Sequence, residues 1–133
     1  MKKIQYVSPD EAVSHIPSHS HIHLSSVAIV PHCLIKALCR RADAGDVTDL
    51  HFHHFHTEGP APYSEPRYEG IFFEQGFFVG PNVRPNVNSG YADYLPVHLG
   101  ESQKLYRCGF IKLAATLVNV SLPDENGMVS LGT

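Results

Sequence analysis

The spacing of apolar positions along the chain switches repeatedly between the period of a strand and that of a helix, which predicts the two in alternation. Ser8-Pro9-Asp10-Glu11 has the form of a helix start, with Ser8 as N-cap, Pro9 at the first helical position and Glu11 placed to close a capping box. A short helix to about His15 follows. His21 to Ser25 (HIHLS) alternates polar and apolar residues as a strand does. Pro31 then opens PHCLIKALCRRA, whose Leu34, Ile35, Leu38 and Ala42 fall at helical spacing. The segment Asp43 to Asp46, with Gly45, is the exit turn, and Leu50 to Phe55 is rich in aromatics and predicts a second strand.

Gly59-Pro60-Ala61-Pro62 is a loop, because the two prolines lack backbone donors and restrict the residues before them. Beyond it we expect a short buried strand at Gly76 to Gly80, a helix from Val83 to Ser89 closed by Gly90, and a strand from Tyr94 to Leu99. Pro96 inside that strand implies an edge position or a bulge. Glu101 to Arg107 is a further helix, ended near Gly109. Ala114 to Ser121 (AATLVNVS) is almost continuously apolar, the pattern of a strand covered on both faces of a parallel sheet. The sequence PDENG turns the chain toward a last short strand at Met128 to Leu131. This alternation predicts one α/β domain over residues 1–133, a three-layer open, mainly parallel sheet with helices on both faces.

At 133 residues and 14.7 kDa the chain is large enough to bury a core of its own, and 43% apolar with 17% charged residues is an ordinary globular balance. A formal net charge of -3, with scattered Lys and Arg, gives no footprint for nucleic acid. Cys33, Cys39 and Cys108 are odd in number and lack CxxC spacing, and nothing at the N-terminus resembles an export signal, so a reducing cytoplasm is expected. No apolar stretch approaches the roughly 20 residues of a membrane span.

Ten histidines change the picture locally, since His51, His53, His54 and His56 lie within six positions. On a strand, His51 and His53 share one face while His54 and His56 share the other. His21 and His23 would join one of these pairs if their strand were adjacent. A metal site therefore needs ligands from two strands, with no cysteine at finger-like spacing. We expect hydrogen-bonded strand-end histidines and no metal, with a histidine-rich metal-binding module as the alternative.

The run from His54 to Arg84 (HFHTEGPAPYSEPRYEGIFFEQGFFVGPNVR), ADYLPVHL at Ala92 to Leu99 and VSLPDENGMVSLGT at Val120 to Thr133 carry a more specific signal. Together with IHLSSVAIVPHCLIKAL, in this order, they resemble the amino-terminal half of the acetyl-CoA hydrolase and 4-hydroxybutyrate CoA-transferase family. The resemblance covers nearly the whole chain. Family members move CoA between carboxylic acids, or to water, through intermediates on a glutamate side chain. That glutamate and a glycine-rich GxGxxP loop belong to the carboxy-terminal half and are absent here, so no catalytic residue is assigned. Glu58, beside Gly59, is taken as a loop anchor.

The resemblance implies that the FVGPNVR loop faces the cleft of a complete enzyme, with Gly80, Asn82 and Arg84 as substrate-binding residues. Gly80 would permit close backbone approach, Asn82 would begin a helix suited to anions, and Arg84 would pair with a carboxylate or hold the loop. Coenzyme A is the implied ligand, with no covalently bound cofactor. Two departures stand out: Ser18-His19-Ser20 replaces a Ser-Gly-Asp turn, and Ser25-Ser26-Val27 has no glycine where small residues are usual. The expected function is a stand-alone or truncated domain without turnover alone, paired as a homodimer or with a separate carboxy-terminal half. An active transferase completed by that half is the enzymatic alternative.

Overall fold

In the computed structural model, which describes residues 5–131, five parallel strands form one sheet in the order β4-β3-β2-β1-β5. The chain begins with α1 (Pro9–Ser14), capped by Ser8, whose hydroxyl accepts from the Glu11 amide at 3.1 Å. It continues through β1 (Ser20–Leu24), α2 (His32–Asp43) and β2 (Leu50–His54). Two short 3-10 turns, Pro62–Ser64 and Pro66–Tyr68, lead to β3 (Phe72–Gly76), α3 (Arg84–Ser89) and β4 (Ala92–Tyr94). A last 3-10 turn, Leu99–Glu101, runs into α4 (Ser102–Arg107), and β5 (Leu113–Leu117) returns to pair beside β1.

The core lies on one face of this sheet. Ile22 and Leu24 of β1, Leu50 and Phe52 of β2, Phe72 of β3 and Leu117 of β5 pack there against Ile35, Leu38 and Ala42 of α2 and the rings of Tyr63 and Tyr68. The helical spacing seen in PHCLIKALCRRA is thus the stripe that α2 buries. Helix α1 lies on α2, adding Val13 and Ile16, and the Arg41 guanidinium donates to both of their carbonyls.

The opposite face is polar and has one helix. His21 and His23 of β1, His51 and His53 of β2 and Phe73 and Gln75 of β3 alternate with the core residues, and Tyr106 of α4 reaches His23 Nδ1 at 2.9 Å. The expected open α/β fold is therefore present, with helices on both faces but unequally shared.

Several boundaries differ from expectation. The third strand is Phe72–Gly76, not Gly76 to Gly80, because Gly76 ends pairing with His54 and the chain bends away through Phe77 and Phe78. The fourth stops at Tyr94, so Pro96 lies in a connecting loop and no bulge is needed. The fifth ends at Leu117 and, among the described residues, lies at the edge of the sheet with Ala114 and Thr116 exposed, so these residues do not cover it on both faces. Met128 to Leu131 forms no strand. Instead Asp124 Oδ1 accepts from the amides of Asn126 and Met128, both at 2.9 Å, and closes the PDENG turn as an Asx motif.

Candidate functional site

Four successive strands deliver loops to the same end of the sheet, their carboxyl end, where open parallel sheets place ligands. The loops after β1, β2 and β3 and the segment between β4 and α4 enclose a cleft of about 540 Å³. Its walls are Ser26 and Val27, Phe55 and His56, Phe77 and Phe78, and the stretch Val97 to Leu99. The lining is mostly apolar, no carboxylate belongs to it, and Phe78 stands 62% exposed at its rim.

The first two loops are held together as though the sheet continued. The Val27 amide donates to the His56 carbonyl at 2.9 Å, Val27 bridges Thr57 in parallel fashion, and the Phe55 amide donates to Ser26 Oγ at 2.9 Å. Holding Val27 there requires a φ of +58°, a left-handed conformation costly for a β-branched residue. His19 has a φ of +56° in the turn before β1. Both residues fall in the segments where glycine was missing, so the two departures are sites of backbone strain.

The FVGPNVR loop is clamped onto the second loop by Asn82. Its side-chain amide donates to the Thr57 carbonyl at 3.0 Å, to Thr57 Oγ1 at 3.2 Å and to the Gly59 carbonyl at 3.1 Å. Thr57 Oγ1 shares a further 2.7 Å hydrogen bond with the Tyr63 hydroxyl. Burial, with the Glu74 carboxylate nearby, pushes the Tyr63 hydroxyl well above its ordinary pKa and keeps it protonated. Gly80 is needed because a Cβ there would lie 2.8 Å from Asn82 Oδ1. Of the three residues named from sequence, Gly80 and Asn82 therefore meet in one clamp behind the cleft wall. Arg84 is exposed, with a 3.4 Å contact from Nη2 to the Val79 carbonyl.

The amides of Val83 and Arg84 both donate to the Gly80 carbonyl, at 3.4 and 3.1 Å, and α3 is only six residues long. Asn82 thus serves the loop through its side chain. Glu58 is 64% exposed, 3.6 Å from His56 Nε2, on the outer rim. Sequence reasoning missed Thr57 and Val97 to Leu99. Their contribution comes from loop packing, which no spacing rule encodes, although Thr57 sits inside the HTEG motif.

The histidines divide as strand geometry requires. His54 turns into the core, fully buried, with Nε2 2.9 Å from Glu74 Oε1, close but not aligned as a hydrogen bond. His21, His51 and His53 gather on the polar face. His21 Nδ1 lies 2.8 Å from His53 Nε2, its ring centroid is 4.6 Å from that of His51, and His51 Nε2 meets Asp49 Oδ1 at 3.0 Å. Burial, with the neighbouring imidazoles, lowers the pKa of His53 to about 3, and burial first also lowers those of His21 and His23. Among the described residues no group of three or more His, Cys, Asp and Glu side chains is placed to hold a metal ion. One imidazole pair, His21 with His53, bonds internally, while His51 bonds to Asp49 and Gln75 and His23 to Tyr106, so the metal-binding alternative has no geometric support among the described residues. Cys33, Cys39 and Cys108 are free thiols, and no helix among the described residues is long and apolar enough to cross a membrane.

The sequence that builds this sheet and its HTEG and FVGPNVR loops matches a known family. The model for the acetyl-CoA hydrolase/transferase N-terminal domain covers residues 2–133, and the chain belongs to this family. It is 34% identical over 123 residues to a succinyl-CoA:acetate/propanoyl-CoA:succinate CoA transferase of Fasciola hepatica, covering 92% of this chain and 25% of that protein. It is 31% identical over 130 residues to the 4-hydroxybutyrate coenzyme A transferase of Clostridium kluyveri, covering 98% of this chain and 30% of that one. The chain thus spans between a quarter and a third of the length of these relatives.

Among solved structures, RipA from Yersinia pestis superposes with a TM-score of 0.81 at 28% identity, covering 95% of this chain and 31% of that one. A 4-hydroxybutyrate CoA-transferase from Porphyromonas gingivalis shares the fold with a TM-score of 0.73 at 23% identity, covering 95% and 27% of the respective chains.

Proposed function

We propose that this chain supplies the acyl-CoA-facing half of a CoA-transferase or acetyl-CoA hydrolase site, binding coenzyme A or its thioesters without turning them over alone. The observation that carries this reading is the cleft of about 540 Å³ at the carboxyl ends of the strands, apolar and free of carboxylates. A pantetheine arm is long, thin and weakly polar, and aromatic walls such as Phe55, Phe77 and Phe78 suit it. Gly80 and Asn82 fix the wall, and Arg84 at its outer side is free to meet an anionic group of the ligand. The nucleophilic carboxylate comes from a carboxy-terminal half, in the same polypeptide or a separate one. Free thiols at Cys33 and Cys108 suit a cytoplasmic setting.

The test is thermal unfolding of the chain with CoA, acetyl-CoA and, as control, adenosine diphosphate. A ligand that binds only the native state raises the melting temperature. A rise with CoA and acetyl-CoA that Phe78→Asp abolishes supports the reading; no rise with either, or one equal to that with adenosine diphosphate, refutes it. Thioester exchange by the chain alone would refute the absence of turnover.

A further inference from the structure

Among the described residues, three other than glycine hold a left-handed backbone: His19, Val27 and Asp49. His and Asp visit this region more readily than most, and these two bond to each other, His19 Nδ1 lying 2.8 Å from Asp49 Oδ2. Val27 is β-branched, a genuine outlier there, and glycine would make the same turn without strain. The core does not account for it, since Val27 is 45% exposed and stands outside the core cluster. Its side chain lines the cleft instead, with Ser26, Phe55 and His56. Strain held at the wall of a site points to a use in that site.

We propose that Val27 sets the size of the acyl group the cleft accepts, its isopropyl group closing the end that the acyl tip enters. This rests on the reading of the cleft as an acyl-CoA site. The sheet order places the β1 loop at one end of the row of loops that forms the cleft and the segment after β4 at the other. Backbone bonds close the β1 end on both sides. Toward β2, the Val27 amide donates to the His56 carbonyl at 2.9 Å. Toward β5, the Ser25 amide donates to the Leu117 carbonyl and the Asn119 side-chain amide to the Val30 carbonyl, both at 2.9 Å. No Lys or Arg lines the cleft, so the charged nucleotide of coenzyme A finds no partner in it and an uncharged acyl tip is the part that enters furthest. A wall fixed in this way discriminates size because it cannot yield to a larger guest. None of these contacts depends on what completes the cleft beyond the described residues.

Isothermal titration calorimetry of the wild-type chain, Val27→Gly and Val27→Leu with CoA, acetyl-CoA and hexanoyl-CoA reads the ratio of hexanoyl-CoA to acetyl-CoA affinity. A difference of one methylene in an apolar pocket is worth roughly 10–200-fold. Val27→Gly should therefore raise the ratio about tenfold or more above wild type, and Val27→Leu should lower it. A merely structural role would shift all three ligands together and leave the ratio where it was. A ratio that stays put, or moves the other way, in either variant overturns the proposal, and Val27→Leu decides alone if Val27→Gly does not fold. Bound CoA with an unmoved ratio removes only the role of Val27. Binding of none of the three ligands by the wild-type chain removes the acyl-CoA reading, and this proposal with it.

Discussion

Replacing His53 by leucine should flatten the acid limb of the stability curve. His53 is 1% exposed, its Nδ1 has no hydrogen-bond partner, and the imidazoles of His21, His51, His23 and His54 surround it. Its pKa falls from 6.5 to about 3 on folding, first through burial and then through these neighbours. The sign follows from proton uptake. The unfolded chain binds a proton as pH falls through 6.5 while the folded chain does not, so stability is full above that value and declines below it, levelling off only near pH 3. Between pH 7.5 and pH 5 this one group removes about 2 kcal/mol, at about 1.4 kcal/mol for each unit below 6.5. His21 and His23 shift in the same direction, so the wild type loses more than this and the variant keeps their share of the loss. Urea denaturation of both chains at the two pH values measures the difference in slope. Equal losses in both chains, or a folded-state NMR titration of His53 with a midpoint near 6.5, would refute the reasoning.

Other substitutions test the clamp, the strain and the buried pair. Asn82→Ala removes the donor shared by Thr57 and Gly59 and should cost about 1–3 kcal/mol, and Asn82→Asp should cost more by facing the Thr57 and Gly59 carbonyls with another acceptor; an aspartate variant as stable as wild type in urea would contradict the assigned geometry. Val27→Gly relieves a left-handed β-branched residue worth roughly 1–2 kcal/mol, offset by about 0.4–1 kcal/mol of unfolded-chain entropy, so the urea midpoint should rise. A lower midpoint would mean the side chain contributes more than its strain costs. Glu74→Leu leaves buried His54 without its polar neighbour and should destabilise by about 1–3 kcal/mol, whereas the double variant His54→Leu/Glu74→Leu should recover most of the loss. Additive losses in that double-mutant cycle would show that the two residues act separately.

The elements read most clearly from sequence were those whose signal is local. Ser8 caps α1 through its own side chain, the apolar stripe of α2 has one consistent period, and Gly90 closes α3 with a φ of +83°. The strands that shifted are those whose limits depend on partners. Phe77 and Phe78 look like strand residues, but β3 stops at Gly76, where β2 stops beside it. Likewise AATLVNVS has the continuous apolar character of a central strand, yet among the described residues its strand pairs with β1 alone, because sheet order is set by crossovers that composition does not record. The candidate site was legible as motifs and not as contacts. Gly80 and Asn82 lie together in one motif, but the bond from Asn82 to Thr57 joins residues 25 positions apart.

The same distinction bears on which carboxylate the proposed chemistry would use. A carboxylate becomes a better nucleophile toward a thioester when stripped of water, and desolvation also raises its pKa. Glu58 does not meet that condition. Its side chain is 64% exposed, and its nearest ionisable partner, His56, is 3.6 Å away, so it stays hydrated in the loop its backbone helps to form. A carboxylate reaching the cleft from outside the described residues would instead lie among Val27, Phe55, Phe77 and Phe78, where few dipoles compete for it. On the proposed reading, this half therefore shapes the dielectric and the acyl-CoA path, and the reacting group arrives from the other side. That division explains how a cleft can be so completely built here while none of its lining residues carries a nucleophilic carboxylate.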